Sequence, residues 1–313
     1  MNTKLRPLVS VCIPSFNHSS YVLECLESIY ESDYDNLELV IIDDGSTDNS
    51  SYIIREWIKI YSHRFQNTVF KQQNNSGICI TLNRLVDTAK GEFIVFIASD
   101  DRLLGDGISL RVSKLESNPT WLAVYGDCKL ISSNGQLISD SAISYLYKAN
   151  KRALLCSSLI ARELILNWSV PGPGFMARKI CFDEKNGAGR YNEDLKFEDR
   201  DFYLRLLARK AIGYVDHPVA EYRVHSLNVS RAPKAIKYTP ASIKAITDAN
   251  IKLSNSFHDF NKVLLKLDNA YTFYTLHYLV ERQIYLLIPR LLIKSILLLA
   301  YRTHSLAINL LSR

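Results

Sequence analysis

Three short apolar runs, each closing on a cluster of small polar or acidic residues, constrain this chain more than any other feature of its sequence. Val9 to Ile13 ends at Pro14-Ser15-Phe16-Asn17. Leu37 to Ile42 runs into Asp43-Asp44-Gly45-Ser46-Thr47-Asp48, and Phe93 to Ile97 stops just before Ser99-Asp100-Asp101. Val69-Phe70 is a weaker fourth run. Their length and their content of branched and aromatic residues predict strands. Between them, Tyr21–Tyr30, Ser50–Tyr61 and Ile78–Ala89 carry apolar residues at helical spacing. Strand and helix in alternation predict an α/β fold with a mostly parallel central sheet covered on both faces. In such sheets ligands bind beyond the carboxyl ends of the strands, and the polar clusters of this chain fall there.

Further along, Trp121–Tyr125 and Lys129–Ser132 precede an Asn134-Gly135 turn, which predicts a hairpin added to the sheet. Residues 140–170 read as largely helical, Pro171-Gly172-Pro173-Gly174 breaks the chain before Phe175-Met176, and Asp199–Arg209 has helical spacing. Tyr222 to Ser230 reads as a polar segment after Pro218. With 313 residues, 47% of them hydrophobic, the chain can bury a large core.

Charge separates the two ends. The net +6 resides in the tail, where Glu221 to Arg313 holds 13 Lys and Arg against 5 Asp and Glu. The tail is also rich in Leu and Ile, which points to an anionic membrane surface and away from nucleic acid. It has no window of about 18 uncharged apolar residues, so an interfacial helix pair is expected and a spanning helix is not. A basic helical extension packed on the α/β domain is the other reading. The first residues, MNTKLRPLVSVCIP, lack the apolar length and the cleavage site of a signal peptide, which places the expected protein in the cytoplasm, peripheral on the inner membrane face. Six cysteines without a C-x-x-C pair suit reduced, buried thiols.

The carboxylates can be read two ways from their types alone. Asp100-Asp101 suits a hard divalent cation, and equally a helix cap or turn. Asp44 can accept from a base N–H or a ribose hydroxyl, while Ser46, Thr47 and Asp48 are good N-cap residues for the next helix. Glu198-Asp199 would otherwise be a solvated acidic helix N-terminus.

Taken in order, P-S-F-N, D-D-G-S-T-D, S-D-D, F-E-D-R-D-F-Y-L-R-L and Y-R-V-H-S-L-N-V-S resemble the motifs of family 2 glycosyltransferases with the GT-A fold, over about residues 8 to 230. The resemblance implies a GT-A Rossmann-like domain over residues 1–235, with a nucleotide-sugar half to 130 and an acceptor half from 131, followed by a helical tail over 236–313. It implies that Asp44 contacts the nucleotide base, with Pro14 and Phe16 against the same nucleotide. Asp100 would contact ribose, Asp101 would bind Mn²⁺ or Mg²⁺, and Asp199 would be the catalytic base, with Glu198 holding an acceptor hydroxyl. His225 would add a metal ligand or a phosphate donor, and Arg223 would offset phosphate charge.

Ser99 stands where many relatives have Asp, Arg200 replaces a commoner aromatic residue, and Thr81-Leu82-Asn83 replaces Ala-Arg-Asn. No Q-x-x-R-W motif is present, so single addition is expected. The implied reaction is inverting transfer from a UDP-hexose or UDP-N-acetylhexosamine to a polyprenyl-diphosphate-linked saccharide in O-antigen or capsule synthesis. A sugar nucleotidyltransferase is the alternative, but it would carry a Gly-rich loop soon after the first strand, and the first glycine here is Gly45. A non-catalytic nucleotide- or membrane-binding relative is the other.

Overall fold

The structure, a computed structural model, describes residues 6–195, 198–226, 240–281 and 287–311. The chain divides into two compact units. The first holds Met1–Leu146, Val170–Tyr191 and Ala211–Val224; the second holds Tyr147–Ser169, Asn192–Lys210 and His225–Arg313.

The first unit is built on one sheet. Its strands are β1 (Val9–Ser15), β2 (Leu37–Asp43), β3 (Asn67–Gln72), β4 (Phe93–Phe96), β5 (Arg102–Leu103), β6 (Ala123–Ser132), β7 (Leu137–Ser139), β8 (Phe175–Arg178) and β9 (Ile212–Val224). They lie in the order β3-β2-β1-β4-β8-β6-β9-β5, with β7 hairpinned onto β6. β1, β2, β3 and β4 pair in parallel, as do β6 and β9, while β8 runs antiparallel to β4 and β6.

The parallel half follows from its sequence. Every residue of β2 is buried, and all of β1 but Pro14, which explains why their runs are apolar without alternation. Helices α1 (Val22–Tyr30), α2 (Ser50–Tyr61) and α3 (Ile78–Thr88) make the crossovers. Val22, Cys25, Leu26 and Ile29 form the inward stripe of α1 and join Val9, Val11, Ile13, Leu37, Leu39, Ile41 and Trp57 in one core. Each large aliphatic side chain so buried contributes about 1.5–3 kcal/mol.

At the amino ends of the strands a buried carboxylate ties the sheet together. Glu38 accepts from Ser10 Oγ (2.5 Å), from the Lys90 N–H (2.7 Å) and from Asn67 Nδ2 (2.8 Å), linking β1, β2, β3 and the approach to β4. Burial works against its charge, yet these hydrogen bonds prevail and hold its pKa below the ordinary value.

Two strands depart from the sequence reading. β6 is continuous across Gly126, where two separate runs were expected, because the glycine sits in a tight crossing: a Cβ there would lie 2.7 Å from the Val219 methyl groups. β9 was read only as a polar segment near its end. Its run is broken by Pro218, which has no N–H to give the ladder, and the β6–β9 register shifts between Gly126, Asp127 and Cys128, where Asp127 faces Pro218. The Asn134-Gly135 turn closes the β6–β7 hairpin as expected, with Gly135 at φ 79°. Helix α4 (Gly107–Ser117) follows β5.

The second unit is helical: α5 (Lys151–Leu155), α6 (Ile160–Leu166), α7 (Glu198–Ala208), α8 (Pro240–Ser254), α9 (Asp259–Glu281) and α10 (Leu287–Leu311). A buried contact, His304 Nε2 to Glu163 Oε2 at 3.2 Å, joins α10 to α6. Arg290 donates to Thr275 Oγ1, which fixes α10 against α9. The opposite face of α10 exposes Ile288, Leu291, Leu292, Ile296, Leu298 and Leu299. None of the described helices is long and apolar enough to cross a membrane.

Candidate functional site

β1 lies between β2 and β4, so the chain leaves it to one side through α1 and reaches the other side only after β3 and α3. This is the topological switch point, where adjacent loops part and leave a crevice at the carboxyl ends of the strands. The residues after β1, β2 and β4 line it.

The loop after β1 starts with Pro14, in register with Ile42, and with Phe16, whose ring is 43% exposed and free to lie against a planar ligand. Asn17 adopts φ 53°, a left-handed conformation that Asn tolerates. Its N–H donates to Ser46 Oγ (2.9 Å), and its Oδ1 accepts from the Thr47 N–H (2.8 Å). Asp48 accepts from the Ser19 N–H at 2.9 Å and from Ser50 Oγ at 2.5 Å. Ser46 and Thr47, read from sequence as helix caps, therefore bind the β1 and β2 loops together. Asp48 does both, since it also takes the Ser50 N–H at the start of α2.

Asp44 is buried and accepts three hydrogen bonds: from the Ser76 N–H (2.7 Å), the Gly77 N–H (2.9 Å) and Gln73 Nε2 (2.7 Å). It thus anchors the loop that leads into α3. A carboxylate has about four acceptor sites, so one remains for a ligand N–H. Gly45 permits the approach: its φ is 81°, and a Cβ there would meet the Asn75 nitrogen at 2.8 Å.

After β4, Asp100 and Asp101 diverge. Asp101 is 2% exposed, and its Oδ1 accepts the Arg223 N–H at 2.8 Å. Burial, reinforced by the charge of Asp100, pushes its pKa well above the carboxylate range, against the opposing pull of Arg223. Asp100 instead points to the β1 loop. His18 Nδ1 stands 3.7 Å from Asp100 Oδ1 and 2.9 Å from Ser99 Oγ. The expectation placed the cation on Asp101; the carboxylate that the structure sets beside a second metal-competent side chain is Asp100. These two residues make a possible His/Asp metal site.

Arg223, expected to offset phosphate charge, is engaged within the protein. Its side chain has no exposed surface. Nε donates to the Asp100 carbonyl (2.7 Å), Nη1 to the Ser133 carbonyl (3.2 Å) and Nη2 to Glu24 Oε2 (2.6 Å). Through its N–H and its guanidinium, Arg223 is thus tied to both Asp101 and Asp100. Neither Glu24 nor His18 was singled out from sequence. Glu24 shows no signal there, being one acidic residue on the outer turn of α1, whereas His18 lies in a loop already marked by Pro14 and Phe16.

Asp199 and His225 belong to the second unit. Asp199 is the second residue of α7, partly buried, and its Oδ1 accepts the Arg200 N–H at 2.6 Å. Arg200 in turn pairs with Asp268 of α9 at 2.6 Å. His225 is buried and follows directly on Val224, the last residue of β9. The Glu198 side chain and residues 227–230 of the Y-R-V-H-S-L-N-V-S segment lie outside what the structure describes.

Residues 10–155 match the sequence profile of Glycosyl transferase family 2. Glycosyltransferase GlyG of Streptococcus pneumoniae is 38% identical over 237 residues, 72% of this chain and 73% of that protein. The GalNAc(5)-diNAcBac-PP-undecaprenol beta-1,3-glucosyltransferase of Campylobacter jejuni is 27% identical over 220 residues, 70% of this chain and 65% of that protein. Among solved structures, S. aureus TarS 1–349 in complex with UDP-GlcNAc superposes with a TM-score of 0.61 at 19% identity, covering 86% of this chain and 72% of that one. Mannosyltransferase PcManGT from Pyrobaculum calidifontis, in complex with GDP-Man and Mn²⁺, also gives 0.61 at 19% identity, covering 97% and 84%. The fold is GT-A.

Proposed function

Because this chain belongs to glycosyltransferase family 2, we propose that it is an inverting, non-processive enzyme that moves one hexose or N-acetylhexosamine from a UDP-sugar to a lipid-linked saccharide during synthesis of a surface polysaccharide such as O-antigen or capsule. The observation that carries this reading is the gathering of Phe16, Asp44 and Asp100 at the switch point of the sheet.

Phe16 offers a face to the uracil ring, and the remaining acceptor site of Asp44 suits a uracil N–H. Asp100 would hold the divalent cation, which would supply charge neutralisation to the departing diphosphate; His225 is a further ligand on the strength of the family motif alone. Asp101 is the buried carboxylate that, with Arg223, sets the angle at which Asp100 is presented. Asp199 is the general base: it takes the proton of the acceptor hydroxyl as that oxygen attacks the anomeric carbon from the face opposite the diphosphate, which inverts the configuration there. The acceptor class is supported by the name of the Campylobacter relative and the donor class by the TarS complex.

The protein works at an anionic membrane surface on its cytoplasmic face. The basic tail and the exposed apolar residues of α10 support this placement.

A panel of UDP-, GDP- and dTDP-sugars, offered with Mn²⁺ and a polyprenyl-diphosphate saccharide, tests the reaction by mass spectrometry of the acceptor. A UDP-sugar should add one residue and no more. Transfer only from a GDP- or dTDP-sugar would overturn the donor class, and a ladder of products would overturn single addition.

A further inference from the structure

The loop after β1 contains a histidine whose placement calls for an explanation beyond packing. Its backbone is held at both ends: the His18 N–H donates to Ser50 Oγ (2.9 Å), and its carbonyl accepts the N–H groups of Tyr21 and Val22, both at 2.9 Å. The preceding Asn17 is left-handed, and the His18 ring meets Tyr21 edge-on, with centroids 6.2 Å apart. The imidazole is thereby fixed with Nδ1 toward the end of β4, while 22% of the side chain stays open to solvent. Here Nδ1 meets a hydroxyl, which can rotate away, and a carboxylate.

We propose that His18 is a ligand of the divalent cation, sharing it with Asp100 through Nδ1. The inference rests on the glycosyltransferase reading above and adds a residue to its donor set. The geometry fits. Two ligand atoms of one cation, each at about 2.1 Å from it, stand about 3–4 Å apart, and the observed separation is 3.7 Å. With its proton on Nε2 the imidazole presents a lone pair at Nδ1, which accepts from the Ser99 hydroxyl here and would exchange that hydrogen bond for the ion. The consequence is selectivity. A nitrogen donor favours Mn²⁺ and later transition ions over Mg²⁺, whereas an all-oxygen site would not.

The test uses the full chain with Mn²⁺ and UDP and reads binding, not turnover. Mn²⁺ affinity is titrated by electron paramagnetic resonance for the wild type, His18→Ala and His18→Asn, with the melting temperature of each metal-free variant as a control on folding. Loss of even an outer partner of a metal typically costs about 10–100-fold in affinity, so His18→Ala should weaken Mn²⁺ by at least about tenfold and Mg²⁺ by less. Nitrogen coupling to the bound Mn²⁺ provides an independent readout. It should persist in His225→Ala and vanish in the double variant His18→Ala/His225→Ala. Unchanged Mn²⁺ affinity in a folded His18→Ala, or no nitrogen coupling in His225→Ala, overturns the assignment while leaving the enzyme reading intact. Failure of the wild type to bind Mn²⁺ with UDP overturns both.

Discussion

Asp100 and Asp101 are neighbours in sequence and both buried, and their partners tell them apart. Asp101 spends an oxygen on the Arg223 N–H and is shut from solvent, whereas Asp100 faces His18 across the crevice. Asp100→Asn should therefore lower transfer by about a hundredfold or more, the scale of losing one group that stabilises developing charge. Asp101→Asn, whose amide oxygen can still accept that N–H, should keep most of the activity and leave the melting temperature nearly unchanged. Comparing kcat and thermal melts of the two variants decides the order. Arg223→Met strands the carbonyls of Asp100 and Ser133 and should cost about 3 kcal/mol, measurable as a lower urea midpoint. Residue types and motif order were enough to single out Asp44, Asp100 and Asp199 as candidates in the sequence. They could not show which of two adjacent carboxylates turns inward, nor that Arg223 is consumed internally, because both outcomes depend on how β9 passes beside β5.

The first four parallel strands and their three crossover helices were legible as elements, since a strand buried on both faces has to be an apolar run and its covering helix has to carry a stripe. β8 and β9 were not: four residues are too few to show a pattern, and Pro218 with its polar neighbours interrupts the other. The far end of the sheet from the site gives a prediction with a definite sign. The folded pKa of Glu38 lies below its ordinary 4.5, so the folded state binds that proton less readily than the unfolded chain. Its stabilisation is thus fully present above about pH 4.5 and is lost as the pH falls through the folded value. Glu38→Gln should cost about 1–3 kcal/mol at pH 7 and should show a shallower loss of stability on acidification than the wild type. Urea midpoints measured from pH 7 down to pH 3 check both; parallel curves for the two proteins would mean that Glu38 does not hold the strand ends as described.

At the scale of the molecule, one unit, built on the sheet, carries Phe16, Asp44 and Asp100, and the other, helical, carries Asp199, His225 and the basic tail. The tail was legible as basic, helical and apolar, but its amphipathic face was not. Arg290, Lys294 and Arg302 stand among the apolar residues of α10, and only its contacts show which side is taken by α9 and which is left exposed. If the exposed side meets a membrane, the full chain should float with anionic vesicles, less so at high salt, and Leu291→Glu/Leu298→Glu should abolish flotation without lowering the melting temperature. Flotation equal to that of the wild type would place the contact elsewhere. The central claim, inverting transfer with Asp199 as base, has a more direct test. Single-turnover transfer from the UDP-sugar, followed by NMR of the new linkage, should give a product of opposite anomeric configuration to the donor, with a folded Asp199→Ala slower by at least about a hundredfold. Retained configuration, or wild-type rates in Asp199→Ala, would contradict the account.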